Sequence, residues 1–277
     1  MLDFASESRP RAFHLVSTAY VAGQTQGSCA EELVRPDGFH NPYEESKCRG
    51  EWLVTEWCRA EGIPLTIYRP SVVCGHSRTG RTLQFNALYY PVRVLLFLKK
   101  LYESDVRELG GQQAERMGVR IEPDGSIVLP IRIEVGERGG VNLIPVDFLV
   151  EAFFAIMEAA PAGGVFHIVN DEPSTIEELI EHTEAVFGIA GLAACSSAEY
   201  RTKPRNSLER LFEHYVEAYG PYMRDMRSFS TEKARPILQE RGIACPAFGR
   251  DMYRRCMEYA VRANWRSELA EGAGGTI

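Results

Sequence analysis

Asn41-Pro42-Tyr43-Glu44-Glu45-Ser46-Lys47 is the stretch from which the rest of the chain is read. Tyr43 and Lys47 are four residues apart, so on a helix they share one face, one turn apart. The residues around them spell a helix start. Asn41 suits the cap, Pro42 the first helical position, and Glu44 the reciprocal place of a capping box. An ammonium beside a phenol lowers the phenol's pKa. That yields a proton donor and acceptor usable nearer neutrality. A core tyrosine with a solvated lysine is the plainer alternative, so the flanking sequence has to decide.

Upstream, residues 12–21 (AFHLVSTAYV) are β-branched, aromatic and mostly apolar on both faces. They predict a central strand of a parallel sheet covered on both sides. Ser17 and Thr18 interrupt it near its carboxyl end, where open α/β sheets carry their chemistry. A hydroxyl there either serves the site or satisfies local backbone. Downstream, the helix is predicted from Pro42 to Glu61, stopped by Gly62-Ile63-Pro64. Leu65 to Tyr68 is the next strand and runs into Arg69-Pro70-Ser71-Val72-Val73-Cys74-Gly75. Strand, helix, strand in this order is a parallel crossover of an α/β fold.

Further out, residues 1–6 read as the last turns of a helix, and 76–82 as a polar loop with Arg78 and Arg81. Residues 83–109 predict a long helix kinked at Pro91, with Leu88, Val92, Leu95, Leu96 and Leu101 along one side. Residues 110–125 are mixed. Strands are predicted over 127–135, 141–145 and 165–169, and helices over 146–159 and from a Ser174 cap to Phe187, with Glu177 as its capping-box partner. From Ser196 onward only helices are predicted, at 199–219, 231–241 and 248–265. The expected organisation is a nucleotide-binding and substrate region over 1–195, a helical subdomain over 196–267, and a disordered tail over 268–277.

The formal net charge is −7, which argues against a nucleic-acid partner. Seven scattered cysteines include no Cys-x-x-Cys and no cluster with histidine at ligand spacing, so no metal site is expected. Free thiols point to a reducing cytoplasm. No apolar run approaches the length of a membrane span, and the first residues, with two acids, are no signal peptide.

Thr18, Tyr43 and Lys47 together suit carbonyl chemistry. As hydride reaches carbon, oxygen becomes negative. Tyr43 can supply its proton, Lys47 can keep the phenol acidic, and Thr18 can hydrogen-bond the oxyanion. At this point three runs, FHLVSTAYVAG (13–23), NPYEESK (41–47) and LTIYRPSVVCG (65–75), resemble the extended short-chain dehydrogenase/reductases. They are most similar to the branch holding fatty acyl-CoA reductases, thioester reductase domains and male-sterility-type proteins. The run 143–147 (LIPVD) resembles a further signature of that family. The resemblance covers residues 13–170, and more loosely the C-terminal helices.

The resemblance implies a catalytic set of Thr18, Tyr43 and Lys47, with Tyr43 and Lys47 also at the nicotinamide ribose. It places Pro70, Ser71, Val72 and Val73 along the nicotinamide. It implies NADPH (or NADH) as cofactor and an acyl thioester, on CoA or a carrier protein, as substrate. One departure stands out. The family opens with a βαβ unit whose Gly-rich turn cradles the cofactor pyrophosphate, and this sequence holds no G-x-G-x-x-G. The expectation is the C-terminal part of a Rossmann-type parallel sheet with a helical appendage, inactive alone. A partner chain supplying the nucleotide-binding half is one way to complete it. A nucleotide-sugar epimerase or dehydratase, and a non-catalytic fragment, are the alternatives.

Overall fold

The structure is a computed structural model that describes residues 2–136 and 140–265. The predicted tail 268–277 lies outside the described residues. The chain divides into two compact units, each drawn from three separate segments.

The first unit comprises residues up to 73, 142–172 and 227–247. Its centre is a parallel sheet of three strands, Phe13–Val16, Leu65–Pro70 and Gly164–Ile168, with Leu65–Pro70 in the middle. The register sets Val16 beside Tyr68, and Tyr68 beside Phe166. The α/β expectation holds. The Val146–Ala159 helix begins and ends as predicted and buries Phe148, Ala152 and Ile156 against Tyr68, Phe166 and Ile168. Each such large apolar side chain contributes about 1.5–3 kcal/mol by leaving water.

The Pro42–Glu61 helix also has its predicted ends, closed by Gly62 in the left-handed region at φ 67°. Two predictions fail nearby. The first strand stops at Val16 rather than Val21, because Thr18 caps a short 3-10 helix, Ala19–Ala22, by accepting the Tyr20 N–H. A hydroxyl offering that local bond competes with the strand ladder. The region after Ser196 is not wholly helical either. Ser228–Phe229 forms a short parallel pair with Ser28–Cys29.

A buried ion pair fastens the 42–61 helix to the central strand. Arg69 donates to Glu51 through Nε at 2.9 Å and Nη2 at 2.6 Å. Its third nitrogen donates to the Glu32 carbonyl.

The second unit comprises residues 74–141, 173–226 and from 248 onward. Its sheet has Ile127–Val135 in the middle, parallel to Ile189–Ser196 and antiparallel to Arg120–Ile121. The strand at 189–196 carried no strand signal, since it is rich in Ala and Gly. Its register slips at Gly191, which sits at φ +85° with no room for a Cβ against Val128. The core gathers Leu98, Ile127, Leu129, Ile131, Leu208 and Phe212.

Several boundaries move. The long helix is Tyr89–Glu108, not 83–109, because Ala87 takes φ +46° and breaks the run. Pro91 therefore falls in the first turn, where the missing N–H has no helical acceptor, and it causes no break. The mixed stretch 110–125 holds a short helix, Gln112–Met117, fixed by the buried Asp105 carboxylate accepting the Ala114 N–H at 2.8 Å. The next helix is capped by Thr175 with Glu178, one residue later than predicted, because Ser174 pairs with Val141. The last helices shorten to Ser197–Thr202, Ser207–Val216, Ala234–Glu240 and Arg250–Arg262. Among the described residues no helix is long and apolar enough to cross a membrane.

Candidate active site

The site forms where the first strand ends and the 42–61 helix begins. Ser17 closes the strand by donating its N–H to the Tyr68 carbonyl at 2.8 Å. Thr18 follows in extended geometry, 5% exposed. Its Oγ1 accepts from the Tyr20 N–H at 3.3 Å and lies 3.5 Å from the Pro70 carbonyl. The Tyr43 phenol reaches towards this same hydroxyl, which opposes part of the rise in the phenol's pKa. The Lys47 ammonium donates to the Val16 carbonyl at 3.3 Å and stands 6.0 Å from the centre of the Tyr43 ring. The structure thus brings Thr18, Tyr43 and Lys47 to one strand end.

The helix start is held from several sides. Asn41 Oδ1 accepts the Glu44 N–H at 3.0 Å. The fully buried Glu44 carboxylate accepts the His40 N–H at 2.9 Å and lies 3.2 Å from His40 Nδ1. It also lies 4.0 Å from Arg227. Arg227 in turn donates to the Gly23 carbonyl and sits 5.2 Å over the Tyr20 ring. One guanidinium therefore touches both the loop after Thr18 and the helix start that carries Tyr43.

One electrostatic expectation is overturned. Burial pushes the Tyr43 phenol above its ordinary pKa, and the Thr18 hydroxyl only partly opposes this. Lys47 spends its bond on Val16 and faces the ring from 6.0 Å rather than pairing with the oxygen. Tyr43 as a whole is 53% exposed; its oxygen end rests on buried Thr18, and there ionisation is resisted. At neutral pH the phenol keeps its proton.

Pro70 and Ser71 are buried, Val72 is half-buried and Val73 is 37% exposed. Their backbone is committed: the Ser71 N–H donates to Ile168 and the Val72 N–H to Asn142, each at 3.1 Å. Asn142 is braced by two bonds to the Asn170 backbone, both 2.8 Å. The hydroxyls of Ser17 and Ser71 are buried and have no partner. Such atoms are uncommon in folded proteins and call for a ligand or water. Two orphaned hydroxyls, a phenol and an ammonium around adjoining strand ends fit the amide and ribose of a nicotinamide nucleotide. The pyrophosphate end is another matter, since the sequence holds no Gly-rich turn of the G-x-G-x-x-G kind.

The sequence reading missed Glu51 and Arg227, and gave Glu44 only the capping-box place. For Glu51 a signal existed. Tyr43, Lys47 and Glu51 continue one spacing of four, so the stripe facing the sheet carries all three. Nothing local announces Arg227, which comes from 204 residues away to reach Gly23. Among the described residues no group of three or more His, Cys, Asp or Glu is placed to hold a metal ion.

Comparison with known proteins follows the same lines. The male sterility protein family model matches residues 1–153, which contain every residue of the site except Arg227 and the Asn142 brace's partner Asn170. A non-canonical nonribosomal peptide synthetase from Cladobotryum sp is 32% identical over 89 residues, 29% of this chain and 9% of that protein. Among solved structures, the terminal R domain of the myxalamid PKS-NRPS pathway superposes with a TM-score of 0.64 at 20% identity, over 95% of this chain and 61% of that one. A thiolation-reductase di-domain from an archaeal nonribosomal peptide synthetase gives 0.64 at 14% identity, over 95% and 52%. UDP-glucuronic acid 4-epimerase from Bacillus cereus, solved with NAD, gives 0.59 at 17% identity, over 94% and 65%. These structural likenesses establish a Rossmann-like α/β fold. The chain spans 61% or less of either reductase structure and 9% of the synthetase.

Proposed function

This chain belongs to the male sterility protein family of NAD-binding domains, and on that premise we propose that the protein containing it reduces an acyl thioester to an aldehyde with NADPH (or NADH). The thioester is carried on CoA or on a carrier protein, and a second round gives the alcohol. The single observation that carries the reading is the meeting of Thr18, Tyr43 and Lys47 at the end of the 13–16 strand. The likeness to reductase domains of peptide and polyketide synthetases supports the thioester over other carbonyl substrates.

The nicotinamide, when bound, supplies hydride to the thioester carbon. Tyr43, protonated at neutral pH, gives its proton to the oxygen as negative charge develops there. The Thr18 hydroxyl donates a hydrogen bond to the same oxygen. Lys47 stabilises the phenolate left behind. The resulting hemithioacetal expels the thiol and leaves the aldehyde. Tyr43 and Lys47 would hold the nicotinamide ribose, while Pro70, Ser71, Val72 and Val73 would line the ring, with Ser17 and Ser71 free to meet its amide. We assign the pyrophosphate cradle to residues outside this chain, from the whole protein or from a partner chain. The seven cysteines are scattered and none is in a disulfide, which supports a reducing cytoplasm as the compartment.

The test is an NADPH-oxidation assay on the whole protein with long-chain acyl-CoA and with an acylated carrier protein. Tyr43→Phe should lower the rate by about 10²–10⁴-fold. An unchanged rate in that variant refutes the role of Tyr43. The epimerase likeness keeps a second reading in view: turnover of UDP- or dTDP-sugars, with no thioester reduction, would replace the first.

A further inference from the structure

Away from this site, two helices of the second unit leave a groove between them. The Ile176–Phe187 helix supplies one wall through its last turn, with Val186 and Phe187. The Arg250–Arg262 helix supplies the other through Arg250, Arg254, Glu258, Val261 and Arg262. The open volume is about 510 Å³, a size usual for small-molecule sites. The two walls are fixed to each other. The Thr183 hydroxyl lies 2.6 Å from the Tyr253 hydroxyl, and Tyr253 is 0% exposed.

The groove carries an excess of positive charge in a chain whose formal net charge is −7. Arg250, Arg254, Glu258 and Arg262 follow one spacing of four, so they stand along one face of their helix. Among the described residues the guanidiniums of Arg250 and Arg262 have no hydrogen bond and no ion pair. Arg254 donates to Asp251 through Nη2 at 2.7 Å. That pair is open to water on both sides and therefore weak. Glu258 is the one acid in the lining. The helix start adds to the imbalance. Gly249 caps it without a side-chain bond, so first-turn N–H groups are left for another acceptor. The positive end of the helix dipole lies at Arg250, where a cation is disfavoured and an anion stabilised.

We propose that this groove binds a small organic monoanion, a carboxylate on an apolar body of medium chain length. Arg250 and Arg254 are one turn apart and grip the carboxylate, for which the planar guanidinium fork is matched in shape. The body lies along Val186, Phe187 and Val261. Seven residues separate Arg254 from Val261, which is about 10 Å along the helix axis and suits such a chain. Glu258 stands between head and tail and repels a second negative charge, so a dianionic phosphate is disfavoured. No residue of the groove belongs to the site at Thr18, Tyr43 and Lys47, and its ligand is independent of the substrate proposed there.

The experiment titrates octanoate at pH 7 into the 277-residue chain and reads the heat of binding. Arg250→Gln with Arg254→Gln should weaken binding at least about tenfold, because charge-assisted hydrogen bonds are lost. Octanol has the same apolar body without the charge, and should also bind at least about tenfold more weakly than octanoate. Octyl phosphate should bind more weakly than octanoate. Val261 is 47% exposed, and Val261→Glu should weaken octanoate binding by placing a carboxylate in the groove. Arg250 and Arg254 are exposed as well, so these substitutions leave the fold intact. With the valine methyl groups labelled for NMR, the Val186 and Val261 signals of the unaltered chain should move as octanoate is added. That measurement decides the matter even if a variant fails to fold. Equal octanoate affinity in the double arginine variant overturns the proposal. So does octanol or octyl phosphate binding as tightly as octanoate, or the absence of a shift at both valines up to about 1 mM octanoate.

Discussion

Each unit is held by an arginine on its middle strand gripping a glutamate on a covering helix, and the two pairs are not alike. Arg69 and Glu51 are both 1% exposed and meet through two bonds. Arg132 and Glu209 also meet through two bonds, at 2.6 and 2.8 Å, but the arginine is 22% exposed. Its Nη2 reaches on to the carbonyls of Lys203 and Pro204. Glu209 meanwhile completes the Asn206 capping box. The second pair is a local clasp serving one helix start. The first sits on the same helical stripe as Tyr43 and Lys47, so it sets the height and rotation of the helix that carries both. A buried pair is a poor source of net stability but a strong constraint on geometry. In the first unit that constraint is tied to the site.

The sharpest way to break this contrast is Arg69→Met, which leaves the Glu51 charge buried and unpaired. A loss of about 3–5 kcal/mol is expected, read as a lowered denaturant midpoint. Glu51→Gln with Arg69→Met should recover much of it, because no lone charge remains. Arg132→Met should cost less than Arg69→Met, since water reaches that end of the pair. An equal loss from the two arginine variants would remove the distinction.

Acid should separate the units next. His167, 1% exposed, donates through one ring nitrogen to the Ser230 carbonyl. Burial, with Arg69 and Lys233 nearby, depresses its pKa to about 4. The unfolded chain then binds the proton more readily than the folded one. Stability from His167 is complete above about pH 6.5 and is lost as pH falls towards 4, by about 3 kcal/mol in all. Glu209 in the second unit is also depressed, through Arg132 and the Asn206 and Arg132 backbone, against the pull of burial. Its contribution persists down to about 4.5 and is lost below that. His182 shifts downward like His167 but is only half-buried. Urea midpoints between pH 7 and 4.5 should therefore fall in the unaltered chain. In His167→Gln, which keeps a donor for Ser230, the fall should be much shallower.

These pairs also explain what could be read from the sequence. The 42–61 helix and the 127–135 and 146–159 elements carry their own ends, written as caps, glycine stops and alternation. They came out with the predicted bounds or nearly so. The strand at 189–196 and the late start at Tyr89 did not, because Ala-rich strands and an alanine at φ +46° owe their state to tertiary packing. That Tyr43, Lys47 and Thr18 meet was legible because carbonyl chemistry would restrict residue type and spacing together. Their electrostatics were not. The direction of the Tyr43 shift depends on where the Lys47 ammonium spends its bond, and sequence spacing says nothing of that. Arg227 was invisible for the same reason, being brought in by the fold alone.

Arg227 gives a smaller effect and a more selective one. It links the Gly23 carbonyl to the Glu44 end of the helix, so it fixes the separation of Thr18 and Tyr43 without touching either. Misplacement of reacting groups by an ångström can cost up to about a hundredfold. Arg227→Met should lower kcat by about ten- to a hundredfold, with KM for the thioester little changed. Arg227→Lys should restore part of it. A fall in stability with an unchanged kcat would make Arg227 structural only.

The smallest change compares the two helix caps directly. Asn41 accepts the Glu44 N–H at 3.0 Å and Thr175 accepts the Glu178 N–H at 3.1 Å, so they do the same work at two helix starts. Replacing either by alanine should cost about 1 kcal/mol, or about 2–4 °C of melting temperature in a chain of this size. Their effect on turnover should differ. Asn41 lies two residues before Tyr43, so fraying there moves the phenol away from Thr18. Thr175 starts a helix of the second unit that carries none of the site residues. Matched melting temperatures with a lowered rate only in Asn41→Ala would show that the first helix start is constrained for geometry beyond stability. Matched rates would mean that Glu44 and Arg227 hold the phenol without the cap.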